Sequence, residues 1–366
     1  MRILFWSGTF WPRVGGIEVL AADFLPALRA RGHEVAVITA APGPGRDDAM
    51  EQVGITVHRL PFEIDRLGSG ELAARVFALR RRVAAIKRDF APDLIHLNVG
   101  GASDIFHWLT ANAHPAPLVA AVHGEWAPEH EPVMKQTLEG ATWTLGCSEF
   151  ILSTARHLAP SIGARSSVIL NGLSAPSPPP GPLQANNPCL VCVCRLVRSK
   201  GVDLAIEAFA MVVREVPRAR LLIAGDGPER AELERQIEGL GLQDRVRLLG
   251  VVPRREVFDL LDQATAVLVP SREEAFGLTA IEAAWMARPV IASVVGGLPE
   301  VVAHGETGLL VEPHSPGAIA RAALHLLLHP EAAVRMGQAG RKRAEQHFGL
   351  ASYLAAHESL YLRLVR

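Results

Sequence analysis

Short apolar runs alternate with longer stretches of helical period along the whole chain. Arg2–Ser7 is an apolar run of strand length. From Ile17 to Arg31, apolar residues fall at Ile17, Leu20, Ala21, Phe24, Leu25 and Leu28, the spacing of one helix face, and Gly32 stops the pattern. Further strands are predicted at Glu34–Thr39, Thr56–Arg59, Asp93–Asn98, Leu118–His123 and Thr142–Cys147. Helices are predicted near 71–90, 104–113, 131–139 and 148–158. Strands separated by helices require crossover connections, which give a parallel sheet covered by helices on both faces.

The rhythm breaks at Asn171–Pro188. Ser174 to Pro182 carries a proline at nearly every second position, lacks backbone donors there, and reads as a semi-rigid linker. The alternation then restarts. Strands are predicted at Cys189–Cys194, Ala219–Gly225, Arg245–Leu249, Ala266–Pro270, Val290–Ser293 and Leu309–Val311. Helices are predicted at Val202–Arg214, Glu229–Leu240, Glu256–Ala264, Gly277–Met286, 315–329, 331–348 and about 352–366. The expected architecture is α/β, two doubly wound Rossmann-like domains in tandem. Residues 1–172 form the first and 173–188 a Pro-rich linker. Residues 189–348 form the second, and 349–366 a closing helix. In open parallel sheets, ligands sit beyond the carboxyl ends of the strands, so the loops there are where chemistry is sought.

Length and composition narrow the classes. The 366 residues suit two domains, and a hydrophobic share of 49% supplies two cores and excludes disorder over most of the chain. Lys+Arg total 37 against 38 for Asp+Glu, so this is not a protein built to coat nucleic acid. Four cysteines are too few for a disulfide scaffold, and Cys192 and Cys194 read as buried free thiols rather than metal ligands. The apolar opening ends at Ser7-Gly8-Thr9, too early for a signal peptide, and no window of 18 or more uncharged apolar residues occurs. The simplest expected compartment is the cytoplasm.

Phosphate loops of the G-x-x-x-x-G-K-[ST] type, G-x-G-x-x-G after the first strand, G-x-S-x-G and H-E-x-x-H are all missing. Present instead are glycines, cations and carboxylates at strand ends. Gly15-Gly16 lies before the first helix, where backbone amides can face an anion. Arg195 and Lys200 follow the strand Cys189–Cys194 and suit a departing diphosphate. Glu274 sits in the loop after Ala266–Pro270, and the amides of Gly277, Leu278 and Thr279 open the next helix, with Glu282 farther along it. Gly225-Asp226-Gly227-Pro228 reads mainly as a structural turn. Singly, each motif has an ordinary structural reading.

Taken in order, they do not. Gly15-Gly16-Ile17-Glu18, His123-Gly124, Asn171-Gly172 and Arg195 to Gly201 come first. Gly225 to Pro228, Pro270 to Ala283, Gly296 to Glu300 and Thr307 to Val311 follow. In this sequence of motifs the chain resembles the retaining glycosyltransferases of family 4, which have the GT-B fold. Seven residues separate Glu274 from Glu282, so Glu274 rather than Glu273 matches the family's first glutamate. The family commonly carries an acid two positions after Asn171-Gly172; here the chain has Leu173-Ser174.

The resemblance implies a hexosyl-type transferase that takes a nucleoside-diphosphate sugar as co-substrate and holds it mainly in the second domain. Arg195 and Lys200 would neutralise the diphosphate, Glu274 would hold sugar hydroxyls, and Glu282 the ribose. Gly15 and Gly16 would approach the diphosphate from the first domain, and His123 the donor sugar near its reacting carbon. Phe276, Gly277, Leu278 and Thr279 would complete the donor site, with Gly250 and Val251 near the base. The last helix would cross back to the first domain. Asp-x-Asp does not occur, so no divalent metal and no other cofactor is expected. Retention follows from the family alone. A different GT-B nucleotide-sugar enzyme, such as an epimerase, and a catalytically inactive sugar-nucleotide-binding partner are the alternatives.

The acceptor side is less legible. Trp6, Trp11, His123, Glu125 and Trp126 cluster at predicted strand ends or loops, where a Trp either stacks on a sugar face or belongs to the core or cleft wall. In Glu71–Phe90, Leu72, Val76, Leu79, Val83 and Ile86 form a core-facing stripe. Six cations (Arg75, Arg80, Arg81, Arg82, Lys87, Arg88) stand against Glu71 and Asp89, a net of +4. Such a helix is either a solvated face or a peripheral contact with the inner face of an anionic membrane. The acceptor, whether glycan, lipid-linked or small-molecule, is not specified.

Overall fold

A computed structural model describes residues 1–11, 15–41, 48–52, 54–62, 69–101, 103–184 and 186–366, with the backbone alone at 48–52 and 69–70. They form two compact units, Met1–Gly172 with Leu350–Arg366, and Leu173–Gly349.

The first unit holds β1 (Arg2–Ser7), β2 (Glu34–Ala40), β3 (Asp48–Gln52), β4 (Ile55–Leu60), β5 (Leu94–Asn98), β6 (Leu118–Val122), β7 (Trp143–Gly146) and β8 (Ser166–Val168). They lie in the order β3-β4-β2-β1-β5-β6-β7-β8. Every pairing is parallel except that of β3, which runs antiparallel to β4. Strands β3 and β8 are absent from the sequence prediction. The β3 residues (DAMEQ) lack an apolar run, and β8 spans three residues. The helices are α1 (Gly16–Ala30), α2 (Ser69–Phe90), α3 (Ser103–Leu109), α4 (Glu131–Gly140) and α5 (Glu149–Leu158). The helix expected over 104–113 ends at Leu109, and Ala111–Ala113 is a separate single turn.

Continuous apolar strands such as β1 are what a sheet covered on both faces requires. Leu20, Ala21, Phe24, Leu25 and Leu28, the face read from the sequence, are the buried residues of α1. The last helix, Leu350–Val365, joins this unit, and its Tyr353, Leu354, Leu360 and Tyr361 share one core with Ile3, Phe24 and Val119.

Trp6 is fully buried, stacked on Phe62 at a ring separation of 6.1 Å, so of the readings open to it the core one holds. One expectation needs correction here: Lys87 is buried too, and the cationic face of α2 is smaller than its sequence suggests. Lys87 Nζ donates to the carbonyls of His107 (3.1 Å) and Thr110 (3.4 Å) and lies over the Trp6 ring. Burial lowers its pKa to about 8. Leu79, Val83 and Ile86 are buried as expected, while Leu72 and Val76 are half-buried.

The second unit is a parallel sheet of β9 (Cys189–Val193), β10 (Arg220–Ala224), β11 (Val246–Gly250), β12 (Ala266–Val269), β13 (Val290–Ser293) and β14 (Gly308–Val311). Its order is β11-β10-β9-β12-β13-β14. Its helices are α6 (Val202–Glu215), α7 (Arg230–Gly239), α8 (Arg254–Asp262), α9 (Leu278–Trp285), α10 (Leu298–Val301), α11 (Pro316–Leu328) and α12 (Pro330–His347). The chain winds outward from β9 through β10 to β11, then returns to β12 on the other side of β9. The crevice at such a reversal is where open α/β sheets bind ligands. Here it lies between the loops that follow β9 and β12.

The proline-rich segment belongs to this unit and is tied to it, apart from Ala185, which lies outside the described residues. The Gly181 amide donates to Asp262 Oδ1 at 2.9 Å. Buried Arg288 donates through Nη2 to the Gly181 carbonyl (3.1 Å) and to Asp262 Oδ1 (2.9 Å).

Candidate active site

The loops after β9 and β12 are bound to each other by hydrogen bonds that start from the backbone. The Arg272 amide donates to the Ser199 carbonyl at 2.7 Å. The Arg272 guanidinium reaches across in a two-pronged pair, Nη1 to Asp203 Oδ1 at 2.7 Å and Nη2 to Asp203 Oδ2 at 2.6 Å. Burial alone would raise the Asp203 pKa, but the Arg272 hydrogen bonds and charge outweigh it and the carboxyl sits below its usual value. Paired forks of this kind fix orientation as well as distance.

The result is a contact between two predicted site residues that are 74 positions apart. Lys200 Nζ donates to Glu274 Oε2 at 2.8 Å. Ser271, itself buried, donates to the same oxygen at 3.0 Å. Arg195 is exposed just past the end of β9, and no ion pair holds it among the described residues. Thus β9 and β12 bring Arg195, Lys200 and Glu274 to one crevice of the second unit.

The opening of α9 lies in the same place. Gly277 precedes it with φ of 106°, a left-handed conformation that favours glycine. The first amides of the helix have no partner within it, so they and the helix dipole offer a positive end. Thr279 Oγ1 donates to the Val193 carbonyl at 2.9 Å, which ties this turn to β9 and commits the hydroxyl. Phe276 is buried, edge-on to Phe348, so only its backbone remains for a ligand. Glu282 is largely buried on α9.

Gly296 has φ of 53°, and a Cβ there would run into the Glu274 carbonyl. That carbonyl also accepts from the Gly297 amide at 3.0 Å. The glycine pair after β13 therefore buttresses the Glu274 loop. Gly250 ends β11, accepts at its carbonyl from the Gly225 amide at 2.7 Å, and is followed by exposed Val251.

The remaining predicted residues belong to the first unit. Gly15 precedes α1 in an extended conformation, and Gly16 is its first residue. His123 follows β6, and its Nδ1 is buried without a hydrogen-bond partner. Burial lowers the His123 pKa to about 4, so its ring is neutral near pH 7. A small cavity runs between His123, Ile17 and Phe24 to a buried network. There Tyr361 Oη and His96 Nδ1 are 2.6 Å apart, and His96 Nε2 is 3.1 Å from Asn98 Oδ1.

Sequence reasoning missed Asp203, Ser271 and Arg272, which position the site. Arg272 lies inside the quoted motif, but nothing in its spacing marks Asp203 as its partner. Among the described residues, no group of three or more His, Cys, Asp or Glu side chains is arranged to hold a metal.

The chain is similar to known proteins along its length. Residues 15–176 match the model of the glycosyl transferase 4-like domain, and residues 177–343 that of the glycosyl transferases group 1. The chain is 29% identical over 411 residues to a glycogen synthase of Mycobacterium tuberculosis, covering 100% of this chain and 95% of that one. It is 29% identical over 405 residues to a D-inositol 3-phosphate glycosyltransferase of Streptomyces coelicolor, covering 96% and 88%. The fold matches a sucrose-phosphate synthase of Thermosynechococcus elongatus with a TM-score of 0.85 at 24% identity, covering 100% and 99%. It matches HepE of Anabaena, crystallised with UDP and glucose, with a TM-score of 0.79 at 23% identity, covering 98% and 99%. With both halves matched in order, the chain belongs to the family 4-like group 1 glycosyltransferases of the GT-B fold.

Proposed function

We propose that this glycosyltransferase moves a hexosyl-type sugar from a nucleoside-diphosphate sugar to a hydroxyl acceptor, with retention of configuration and without a divalent metal. The Lys200–Glu274 pair carries the reading: a cation and a carboxylate 2.8 Å apart in the crevice between β9 and β12, beside Arg195 and the opening of α9. Breaking the bond between a sugar and a diphosphate leaves positive charge on the sugar and negative charge on the phosphate. Fixed cations and helix amides aimed at the departing oxygen stabilise that separation before it occurs. Arg195, Lys200 and the amides of Leu278 and Thr279 take this role, so no metal is needed for it. Glu274 accepts hydrogen bonds from sugar hydroxyls and keeps Lys200 in place until the donor arrives. Glu282 holds the ribose, and the backbone at Gly250 and Val251 faces the base.

No carboxylate is assigned as a nucleophile. The acceptor hydroxyl attacks from the face the diphosphate leaves, and its proton passes to the departing phosphate oxygen. Neutral His123 suits a hydrogen bond to a sugar hydroxyl near the reacting carbon. A UDP-sugar is the first donor to try, since the fold neighbour HepE was crystallised with UDP-glucose. The named relatives act on a glycan or on an inositol phosphate, and both acceptor classes merit trial.

The test is slow hydrolysis of UDP-, GDP- and ADP-sugars without acceptor, followed by transfer to those acceptors. Release of nucleotide from one donor is expected, and chelation with EDTA leaves the rate unchanged. No release from any donor, with nucleotide still bound, would favour an inactive binding partner. Conversion of the sugar without its release would favour an epimerase.

The reading also includes peripheral membrane contact through α2. Phe77 is 60% exposed under the Arg81 guanidinium, beside exposed Arg80, Arg82 and Arg88. Flotation with anionic liposomes at low salt tests it, and binding lost on Phe77→Ser is the expected result. Absence of binding by the unmodified protein removes it.

A further inference from the structure

Cys192 and Cys194 occupy the strand and turn that deliver Arg195 to the crevice. Both side chains lie on the same side of the chain, as residues two apart on a strand must. Their sulfurs are 3.8 Å apart. Cys192 is 1% exposed, whereas Cys194 is partly open at the surface. Of the other two cysteines, Cys189 is buried at the start of β9 and Cys147 is buried in the first unit.

We propose that Cys192 and Cys194 form an oxidant-sensitive dithiol that closes to a disulfide with hydroperoxide and disables the donor crevice, an inference that rests on the donor reading above. The Cys194 thiolate attacks one peroxide oxygen, the O–O bond breaks, and the other oxygen leaves as water or alcohol. This gives a sulfenic acid at Cys194. The Cys192 sulfur then attacks the Cys194 sulfur, the S–O bond breaks, and water leaves with the Cys192 proton. Two thiols lose two electrons to one peroxide bond.

The surroundings favour Cys194 as the first thiol attacked. The Cys192 sulfur at 3.8 Å and the positive charges of Lys200 and Arg195 lower its pKa, against burial and the Glu274 charge. The same contact raises that of Cys192, which stays a thiol until the second step. Cations beside a partly open thiol are the setting in which cysteines react.

Closure must move the chain. Residues two apart on an extended chain have Cα atoms about 6.6 Å apart, near the upper end of the roughly 4.4–6.8 Å that disulfides span, and same-face Cβ atoms about as far apart, beyond the roughly 3.5–4.5 Å they span. The movement falls on Cys194, which lies just beyond the last residue of β9. Its amide donates to the Ala224 carbonyl at 3.0 Å, and its carbonyl packs against Gly225. Arg195 is the next residue. Pulling Cys194 toward Cys192 therefore displaces Arg195 and strains the turn that leads to Lys200.

The test uses the full chain, reduced and then treated with hydrogen peroxide. Peptide mapping is expected to show one link between Cys192 and Cys194, reversed by dithiothreitol and absent from Cys192→Ser and Cys194→Ser. Hydrogen exchange of the 195–201 backbone is expected to change on oxidation in the unmodified protein alone. Stabilisation by UDP is expected to be lost and then restored with dithiothreitol. No 192–194 link, or a link that leaves both exchange and UDP stabilisation unchanged, overturns the proposal. If the reduced protein takes no UDP, the donor reading falls, while mapping and exchange still decide the dithiol.

Discussion

At the scale of single residues, the account rests on how Lys200 and Glu274 share a hydrogen bond. Each is one of dozens of charged residues, and either alone would be read as a surface group. Their contact at 2.8 Å, with Ser271 on the same carboxylate oxygen, makes them one unit of charge. Lys200→Ala and Glu274→Ala should each lower turnover by at least about 10²–10³-fold, the usual cost of removing one preorganised group at a developing charge. Each variant should keep the circular dichroism of the unmodified protein. The double variant should lose less than the product of the two, since residues acting as one unit are not additive. Near-normal turnover in both single variants would refute the site. Gly296 offers a separate check. Gly296→Ala places a Cβ against the Glu274 carbonyl at φ of 53° and should cost on the order of 1–3 kcal/mol of stability. A thermal melt and turnover assay should show both falling together.

At the scale of elements, the last helix packs a titratable network into the first unit. Tyr361 Oη meets His96 Nδ1, and the His357 ring lies tilted against that of His96 at a ring separation of 5.7 Å. Burial holds His96 well below the usual histidine value and His357 at about 4, and His123 also sits at about 4. All three are neutral when folded and take up protons when unfolded once the pH drops below about 6.5. The unfolded state then binds more protons, so stability is full above about pH 6.5 and falls as pH drops toward 4. Urea melts at pH 7.5 and pH 5 should show the lower midpoint at pH 5, and equal midpoints would contradict this. Tyr361→Phe leaves a buried ring nitrogen without its partner and should cost about 1–3 kcal/mol by the same melts.

Elements also show what the sequence discloses and what it withholds. Strands β1, β9 and β12 are continuous apolar runs bounded by breaks, and helix faces such as that of α1 repeat every three to four residues. Local pattern is enough to find them. Strand β3 has no such run, and its pairing to β4 along one edge is a contact with another part of the chain that local pattern does not reveal. Lys87 was misplaced for a related reason. A sequence gives the side of a helix or strand a residue is on, not what stands opposite. The carbonyls of His107 and Thr110 that accept from Lys87 come from another part of the chain. The Asp203–Arg272 fork is likewise a tertiary fact. The motif order singled out Arg195, Lys200 and Glu274, but only the folded sheet explains why Lys200 and Glu274 meet.

At the scale of the whole molecule, each unit is a doubly wound sheet, and in the second the loops at the reversal point carry Arg195, Lys200 and Glu274. In the second unit that reversal lies between β9 and β12. A ligand that binds only the folded protein raises its melting temperature with concentration. UDP should do so for the unmodified chain and do so less for Lys200→Ala, while EDTA should leave both unchanged. The most direct measurement is a crystal structure with UDP bound. The account predicts the diphosphate within hydrogen-bond distance of Lys200 Nζ and the amides of Leu278 and Thr279, with Arg195 turned toward it. A diphosphate bound away from the β9/β12 crevice, with Lys200 still paired to Glu274 and touching no phosphate oxygen, would contradict it.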